Sequence, residues 1–251
     1  MFKDVLYFLK KIFFLEKYIL KKRIERSIIK PLEPELILIE KFCDKTKSSI
    51  DIGVFRGVYS YKMAEYSNKV YGFEANPVMF NYLNKNLTKL KKNIILHNIA
   101  LSDSEGYTKL KIPIRKKSMV KSNFEDYYEG GLATIESDNN LNNKMFDTFD
   151  VKTLTLDSFN FDQKISFIKI DVEGHEFSVL KGSEKILKKY KPVLLIEIDK
   201  QHSTKVKETF NYLEELNYES FYFDGIDLIK ILSYEENIRK DFKNFIFKYK
   251  E

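Results

Sequence analysis

Two short stretches gather groups that can move protons or hold cations. Asp171, Glu173, His175 and Glu176 lie almost side by side, and Glu197, Asp199 and His202 form a second group. An alcohol is a poor nucleophile at neutral pH, so a reaction at oxygen would call on a base or a metal ion. Asp171, His175 or His202 could act as the general base. Alternatively, Asp171, Glu197 and Asp199 could hold a hard cation such as Mg²⁺ through oxygen ligands. Plainer roles compete with both. Glu176 suits the first turn of a helix, where it complements the dipole, and Glu173 could simply accept hydrogen bonds in a turn. His97 falls within a strand pattern and reads as structural.

A third group suits ligand binding. Asp51-Ile52-Gly53-Val54-Phe55-Arg56-Gly57 follows an apolar run and opens a helical pattern. Gly53 permits a tight turn with a ligand close to backbone. Gly57 stands where a helix begins, and the free N–H groups there suit a carboxylate or a phosphate. The spacing is G-x-x-x-G rather than the G-x-G-x-x-G of dinucleotide binders. Glu74 ends the next apolar run, where an acidic side chain can accept hydrogen bonds from both ribose hydroxyls. Asp51 could hold an ammonium group, directly or through water. Each of these residues alone reads more simply as a cap or a turn. The ordered series of strand, Asp, two glycines, helix, strand and Glu points to a nucleoside.

The elements that must position these groups alternate. Strands are expected near Ser49–Ile52, Val70–Phe73, Ile94–His97, Thr108–Ile114, Val151–Leu156, Ile165–Ile170 and Pro192–Ile198. Helices are expected over Val58–Tyr66, Pro77–Leu90, Glu176–Lys189 and Thr204–Leu216, and Glu219–Phe223 with Leu228–Leu232 reads as a terminal pair. Alternating strands and helices imply a parallel sheet covered on both faces. Right-handed crossovers then bring the strand carboxyl ends to one edge, where ligands bind. The expected architecture is a Rossmann-like α/β fold: a mostly parallel seven-stranded sheet behind an N-terminal helical extension. Residues 1–46 read as that basic extension and 47–251 as the catalytic domain. Residues 115–150 break the pattern. They read as a substrate lid or a disordered insert, with Tyr127, Tyr128 and Gly130-Gly131 among the residues expected to shape a pocket.

The motifs together resemble the FkbM-type methyltransferases. The resemblance rests on Asp51-Ile-Gly…Gly57-Val-Tyr-Ser60, Val70-Tyr-Gly-Phe-Glu74-Ala-Asn-Pro77, Asn98-Ile-Ala100-Leu-Ser-Asp103…Gly106, Thr155-Leu-Asp157 and Ile168-Lys-Ile-Asp171-Val-Glu-Gly174-His-Glu176…Gly182. It spans roughly residues 48–200, and the Ile-Lys-Ile-Asp-Val-Glu-Gly block is its most specific part. The family implies S-adenosylmethionine as cofactor and methyl transfer to oxygen, often on sugars or hydroxylated natural products. By the same resemblance, Asp51, Gly53, Gly57, Ser60, Glu74, Ala75 and Asp171 belong to the cofactor site, and Asn98, Ala100 and Asp103 lie near the adenine. Phe55 departs from the pattern, since family members commonly carry Asn there.

Composition narrows the class further. The formal net charge is +6, and residues 1–30 hold nine Lys/Arg against three Asp/Glu. The remaining 34 basic (43 − 9) and 34 acidic (37 − 3) residues balance, so the body lacks the basic stripe of a nucleic-acid binder. No Pro-Cys pair follows the Asp171 strand, which disfavours a cysteine-nucleophile cytosine methyltransferase, and no Asn/Asp-Pro-Pro-aromatic run does, which disfavours methylation of the exocyclic amines of bases. Cys43 is the single cysteine, so no internal disulfide forms and a reducing, cytoplasmic setting fits. The expected partner is a small-molecule or glycan acceptor. Residues 3–29 form a basic helical pattern, read as a cover on the domain, a homo-oligomer contact or a peripheral membrane contact. Two alternatives stay open: a nicotinamide-dependent oxidoreductase, against which the missing G-x-G-x-x-G speaks, and a membrane-surface adaptor that uses the fold as a scaffold.

Overall fold

The computed structural model describes residues 2–114, 129–136, 145–200, 202–233 and 242–250, with side chains in the first helix from Leu15 onward. Tyr127, Tyr128 and most of the 115–150 insertion lie outside the described residues.

The central sheet is built around β1 (Ser48–Ile52), which is buried along its whole length. It pairs in parallel with β2 (Val70–Phe73) on one side and β7 (Ile165–Ile170) on the other. Such strands face helices on both sides, which is why they read as near-continuous apolar runs. Beyond β2 lies β3 (Ile94–His97), and beyond β7 lies β8 (Val193–Glu197), both parallel. Three further strands complete the far edge. The full order is β10-β9-β11-β8-β7-β1-β2-β3, with β9 at Tyr218–Phe223, β10 at Leu228–Lys230 and β11 at Asn244–Tyr249.

The sheet therefore has eight strands, not the expected seven. The Tyr218–Phe223 and Leu228–Lys230 strands do pair as a hairpin. They are not the last elements, however, because β11 returns from the end of the chain and inserts antiparallel between β8 and β9. A second, three-stranded sheet lies outside the first, in the order β4-β6-β5. Here β5 (Gly106–Pro113) and β6 (Phe146–Leu154) form a long antiparallel ribbon, and β4 (Ala100–Leu101) runs parallel to β6. The insertion thus interrupts a hairpin of this small sheet.

Helices cover both faces of the large sheet. On one face, α3 (Val58–Met63) and α4 (Pro77–Leu90) pack over Val70, Phe167, Leu195 and Ile246 through Met63, Leu83 and Leu87. On the other face, α5 (Glu176–Lys181), α6 (Glu184–Tyr190) and α7 (Val206–Glu215) bury Val179, Leu187 and Leu213 against Ile50, Ile168, Leu194 and Phe245. The single helix expected over Glu176–Lys189 is divided at Gly182. A Cβ at that position would stand 2.0 Å from the Ser102 carbonyl oxygen, so only glycine lets the β4 loop approach so closely.

The N-terminal segment is one long helix, α1 (Phe2–Ile29), followed by a 3₁₀ turn at Pro34–Leu38 and the short α2 (Ile39–Phe42). Leu20 and Ile24 join the same core as Met79 and Leu83 of α4. A Lys85–Glu16 ion pair at 2.7 Å ties the two helices at the surface.

Candidate active site

The chain builds β1, β2 and β3 outward in one direction, then returns to lay β7 on the other side of β1. The crevice at such a reversal is where open α/β sheets take their ligands. Gly53 leaves β1 here with φ +82°, and a Cβ on it would lie 1.8 Å from the Asp171 carbonyl oxygen. The Asp171 N–H donates to the Ile52 carbonyl at 3.0 Å, and the Gly53 N–H donates to the Phe73 carbonyl at 2.9 Å. The three strand ends are thereby stitched together around the glycine.

Two lobes open from this point. The first is walled by Gly53, Glu74, Ala75 and Ile99–Leu101, with Leu110, Ala133 and Ile135 of the small sheet and insertion. The second lies between Ser27–Leu36 of the N-terminal segment and Asp51, Arg56, Tyr59 and Lys169. Gly53, Phe55 and Asp171 line both lobes and mark the junction. Phe55 adopts φ +46°, and its backbone N–H donates to Glu74 at 2.7 Å.

Glu74 faces the first lobe. Its other oxygen accepts from the Asn76 N–H at 2.9 Å, and burial pushes its pKa up to about 7 despite both bonds. Asn98 does not line the lobe. It donates to the carbonyls of Glu74 and Ala75 at 2.8 and 3.1 Å and so fixes the turn that presents the glutamate. Ala75 and Ala100 do line the lobe. Asp103 is held by Ser102 and Ser104 on an exposed turn away from it.

Asp51 faces the second lobe and is fully buried. One carboxylate oxygen accepts from Ser60 at 2.5 Å, and the other, Oδ1, has no hydrogen-bond partner. Burial raises its pKa to about 6, against the pull of Lys169. Ser60 therefore serves the cleft through Asp51, and Gly57, in the left-handed region at φ +74°, caps α3 beneath it.

Lys169 was not among the expected site residues. Its strand register sets it directly beside Asp51, on the same face of the sheet. Its Nζ lies 2.7 Å from Asp171 Oδ2 and 4.6 Å from the centre of the Tyr59 ring. Burial pulls its pKa down, but the charges of Asp171, Asp51 and Glu33 outweigh this and hold it well above the usual lysine range. The Tyr59 hydroxyl in turn donates to Glu33 at 2.8 Å. A lysine inside an otherwise apolar run, on the face shared with Asp51, was the sequence signal for this group.

The remaining expected residues divide. His175 lines the first lobe, but both ring nitrogens are engaged, Nδ1 with Glu136 at 2.5 Å and Nε2 with the Ser102 hydroxyl at 2.9 Å. It clasps the insertion to the β4 loop, and the Thr134 hydroxyl reinforces the clasp by donating to the Glu173 carbonyl at 2.8 Å. His202 Nε2 lies 3.9 Å from a Glu173 oxygen. Glu173 itself is pushed up to about 8, by burial first and then by the charge of Asp171. Glu197 is raised in the same way, and shares a hydrogen bond with Asp171. Asp199 pairs with Lys243 at 2.6 Å. Among the described residues, no group of three or more His, Cys, Asp or Glu side chains is arranged to hold a metal ion. Asp171, Glu197 and Asp199 thus answer to lysines and to each other, and the Mg²⁺ reading gains no support.

Comparison with known proteins adds the following. The methyltransferase FkbM domain model matches residues 51–220. No curated protein matches significantly. Among solved structures, a methyltransferase FkbM from Methylobacillus flagellatus KT superposes with a TM-score of 0.49 at 15% identity, over 81% of this chain and 44% of that one. The chain thus spans less than half the length of that protein. An rRNA methylase from Streptococcus thermophilus gives 0.47 at 15% identity, over 86% of this chain and 95% of that one. A TehB-like SAM-dependent methyltransferase from Corynebacterium glutamicum gives 0.46 at 10% identity, over 93% and 98%. None of these comparisons supports an oxidoreductase.

Proposed function

The chain belongs to the FkbM methyltransferase family, whose members are S-adenosylmethionine-dependent, and we propose that it methylates a hydroxyl group of a sugar, glycan or small natural product. The observation that carries the reading is the two-lobed cleft joined at Gly53, Phe55 and Asp171. It has Glu74 in one lobe and the unpartnered Asp51 Oδ1 in the other. The residues fit the donor. Glu74 would accept from the ribose hydroxyls, the apolar walls at Ala75, Ile99 and Ala100 would take the adenine, and Asp51 Oδ1 would take the ammonium of the amino-acid end. Bound there, S-adenosylmethionine supplies a methyl group activated by its sulfonium.

The protein's own work is to bring up an acceptor oxygen, relieve it of its proton and keep water out. Asp171 is the base we assign, because it alone among the candidate acids and bases lines both lobes. Glu173 lines the first lobe, and burial pushes its pKa up to about 8, which suits donation of a proton to an acceptor's neighbouring oxygens. Leu110, Ala133 and Ile135 close the first lobe with apolar surface, which strengthens every charge interaction inside.

Calorimetric titration with S-adenosylhomocysteine tests the donor site. Removing a charged acceptor of two hydrogen bonds costs roughly 1.5–3 kcal/mol per bond, so Glu74→Ala should weaken binding about a hundredfold or more. Unchanged affinity would sink the ribose assignment. Labelled S-adenosylmethionine offered with a panel of free sugars and sugar nucleotides tests the acceptor. Label found on nitrogen or carbon in the product would overturn transfer to oxygen.

A further inference from the structure

The outward face of α1 is built unlike the outer face of an ordinary surface helix, which is polar. Its inward side is accounted for, because Leu20 and Ile24 are buried against α4. At about 100° per residue, Leu15, Tyr18, Ile19 and Ile29 fall on the opposite side. They are exposed to 55, 52, 38 and 77% respectively. Lys22 and Arg26 stand within this stripe, and Lys21, Arg23 and Lys30 flank it. Glu25 pairs with Lys21 and Lys22 at 3.6 and 3.2 Å, which leaves the stripe positive. The stripe runs on into Leu32, 95% exposed, at the lip of the second lobe.

Charge singles out the same element. Residues 1–30 carry nine basic and three acidic side chains, a surplus of 9 − 3 = +6, which is the whole net charge of the chain. The rest of the molecule is balanced. Exposed large apolar side chains interleaved with Lys and Arg, along a helix with no span able to cross a bilayer, suit a helix lying in the plane of a lipid surface. The aliphatic stems of Lys22 and Arg26 can lie along the apolar boundary while their charges reach the headgroups. A cationic surplus carried by that segment, with Lys22 and Arg26 in the stripe, selects an anionic leaflet.

We propose that the outer face of α1 docks on an anionic phospholipid surface, which sets the lip of the second lobe, at Ser27, Pro31 and Leu32, against that surface. The proposal does not depend on the identity of the methyl acceptor.

Flotation of the full chain tests it, with vesicles of phosphatidylcholine alone and of phosphatidylcholine mixed with phosphatidylglycerol. The protein should float with the mixed vesicles only, and added salt should release it. Lys22→Glu/Arg26→Glu and, separately, Ile19→Ser/Ile29→Ser should each cut the bound fraction about tenfold or more. Both should leave the thermal shift caused by S-adenosylhomocysteine unchanged, which keeps this test apart from the test of the donor site. Failure to float, or flotation that neither variant weakens, would overturn the proposal. So would a solution dimer that both variants break while vesicles capture none, since the stripe would then join two copies of the chain.

Discussion

Lys169 occupies a position where a strand buried on both faces ordinarily carries Val, Ile or Leu. It is 3% exposed and touches Asp171, with Asp51 beside it across the strand pair. Asp171 lies at the junction of the lobes and the buried Asp51 lines the second, and without a cation each would face the other's charge. Breaking a buried ion pair from one side typically costs about 3–5 kcal/mol, because the remaining charge stays buried and uncompensated. Lys169→Met keeps an unbranched chain one atom shorter and removes the ammonium with its charge and its hydrogen bond to Asp171. We expect it to lower the free energy of urea unfolding by about that amount. The double variant Lys169→Met/Asp51→Leu should recover part of the loss, since it removes one of the stranded carboxylates. If the single variant were as stable as the natural protein, the junction would owe nothing to this cation and the account of Asp51 and Asp171 would have to be redrawn.

Among the elements, α1 distinguishes a domain with an appendage from a domain with an integral cover. Ile24 is 1% exposed and shares a core with Met79, Leu83 and Leu87. Truncating a buried isoleucine to alanine costs roughly 2–5 kcal/mol when the site cannot collapse. Ile24→Ala should therefore lower the chemical denaturation midpoint of the whole domain in a single transition. No change, or a separate early transition, would show that α1 is only loosely attached. The expectation of a helix at residues 3–29 rested on spacing alone, and spacing does not say what a helix packs on. The same distinction runs through the rest of the fold. Strands β1, β2 and β7 were legible because burial on both faces leaves an uninterrupted apolar run, and Gly53, Glu74 and Asp171 were legible because they sit at the ends of those runs. Strand β11 was not, because its partners β8 and β9 are distant in sequence and only tertiary pairing fixes its place. The break at Gly182 was missed because its cause is the Ser102 carbonyl, a contact with no local signature. The double engagement of His175 was hidden for the same reason, since Glu136 and Ser102 reach it from remote segments.

For the molecule as a whole, buried carboxylates dominate the acid–base behaviour. Burial pushes Glu35 and Asp51 up to about 6, Glu74 and Glu176 up to about 7, and Glu173 up to about 8. In the unfolded chain these groups release their protons near pH 4. Between about pH 4 and 8 the folded state thus binds more protons than the unfolded state, and stability must fall as pH rises. The surface pairs act in the opposite sense. The carboxyls of Asp44, Glu25 and Asp162 are held below their usual range by lysine neighbours and hydrogen bonds, so their contribution is lost only on acidification below that window. The melting temperature should accordingly decline from about pH 5 to pH 8, which differential scanning calorimetry reads directly. The proposed donor reverses part of the trend. Its ammonium and ribose hydroxyls favour the ionised forms of Asp51 and Glu74, so the stabilisation it brings should grow over the same interval. S-adenosylhomocysteine, which carries the same ammonium and hydroxyls, should therefore raise the melting temperature more at pH 8 than at pH 5. A melting temperature that rises through this range would mean that these carboxylates are ionised in the folded protein. A ligand shift independent of pH would separate Asp51 and Glu74 from donor binding.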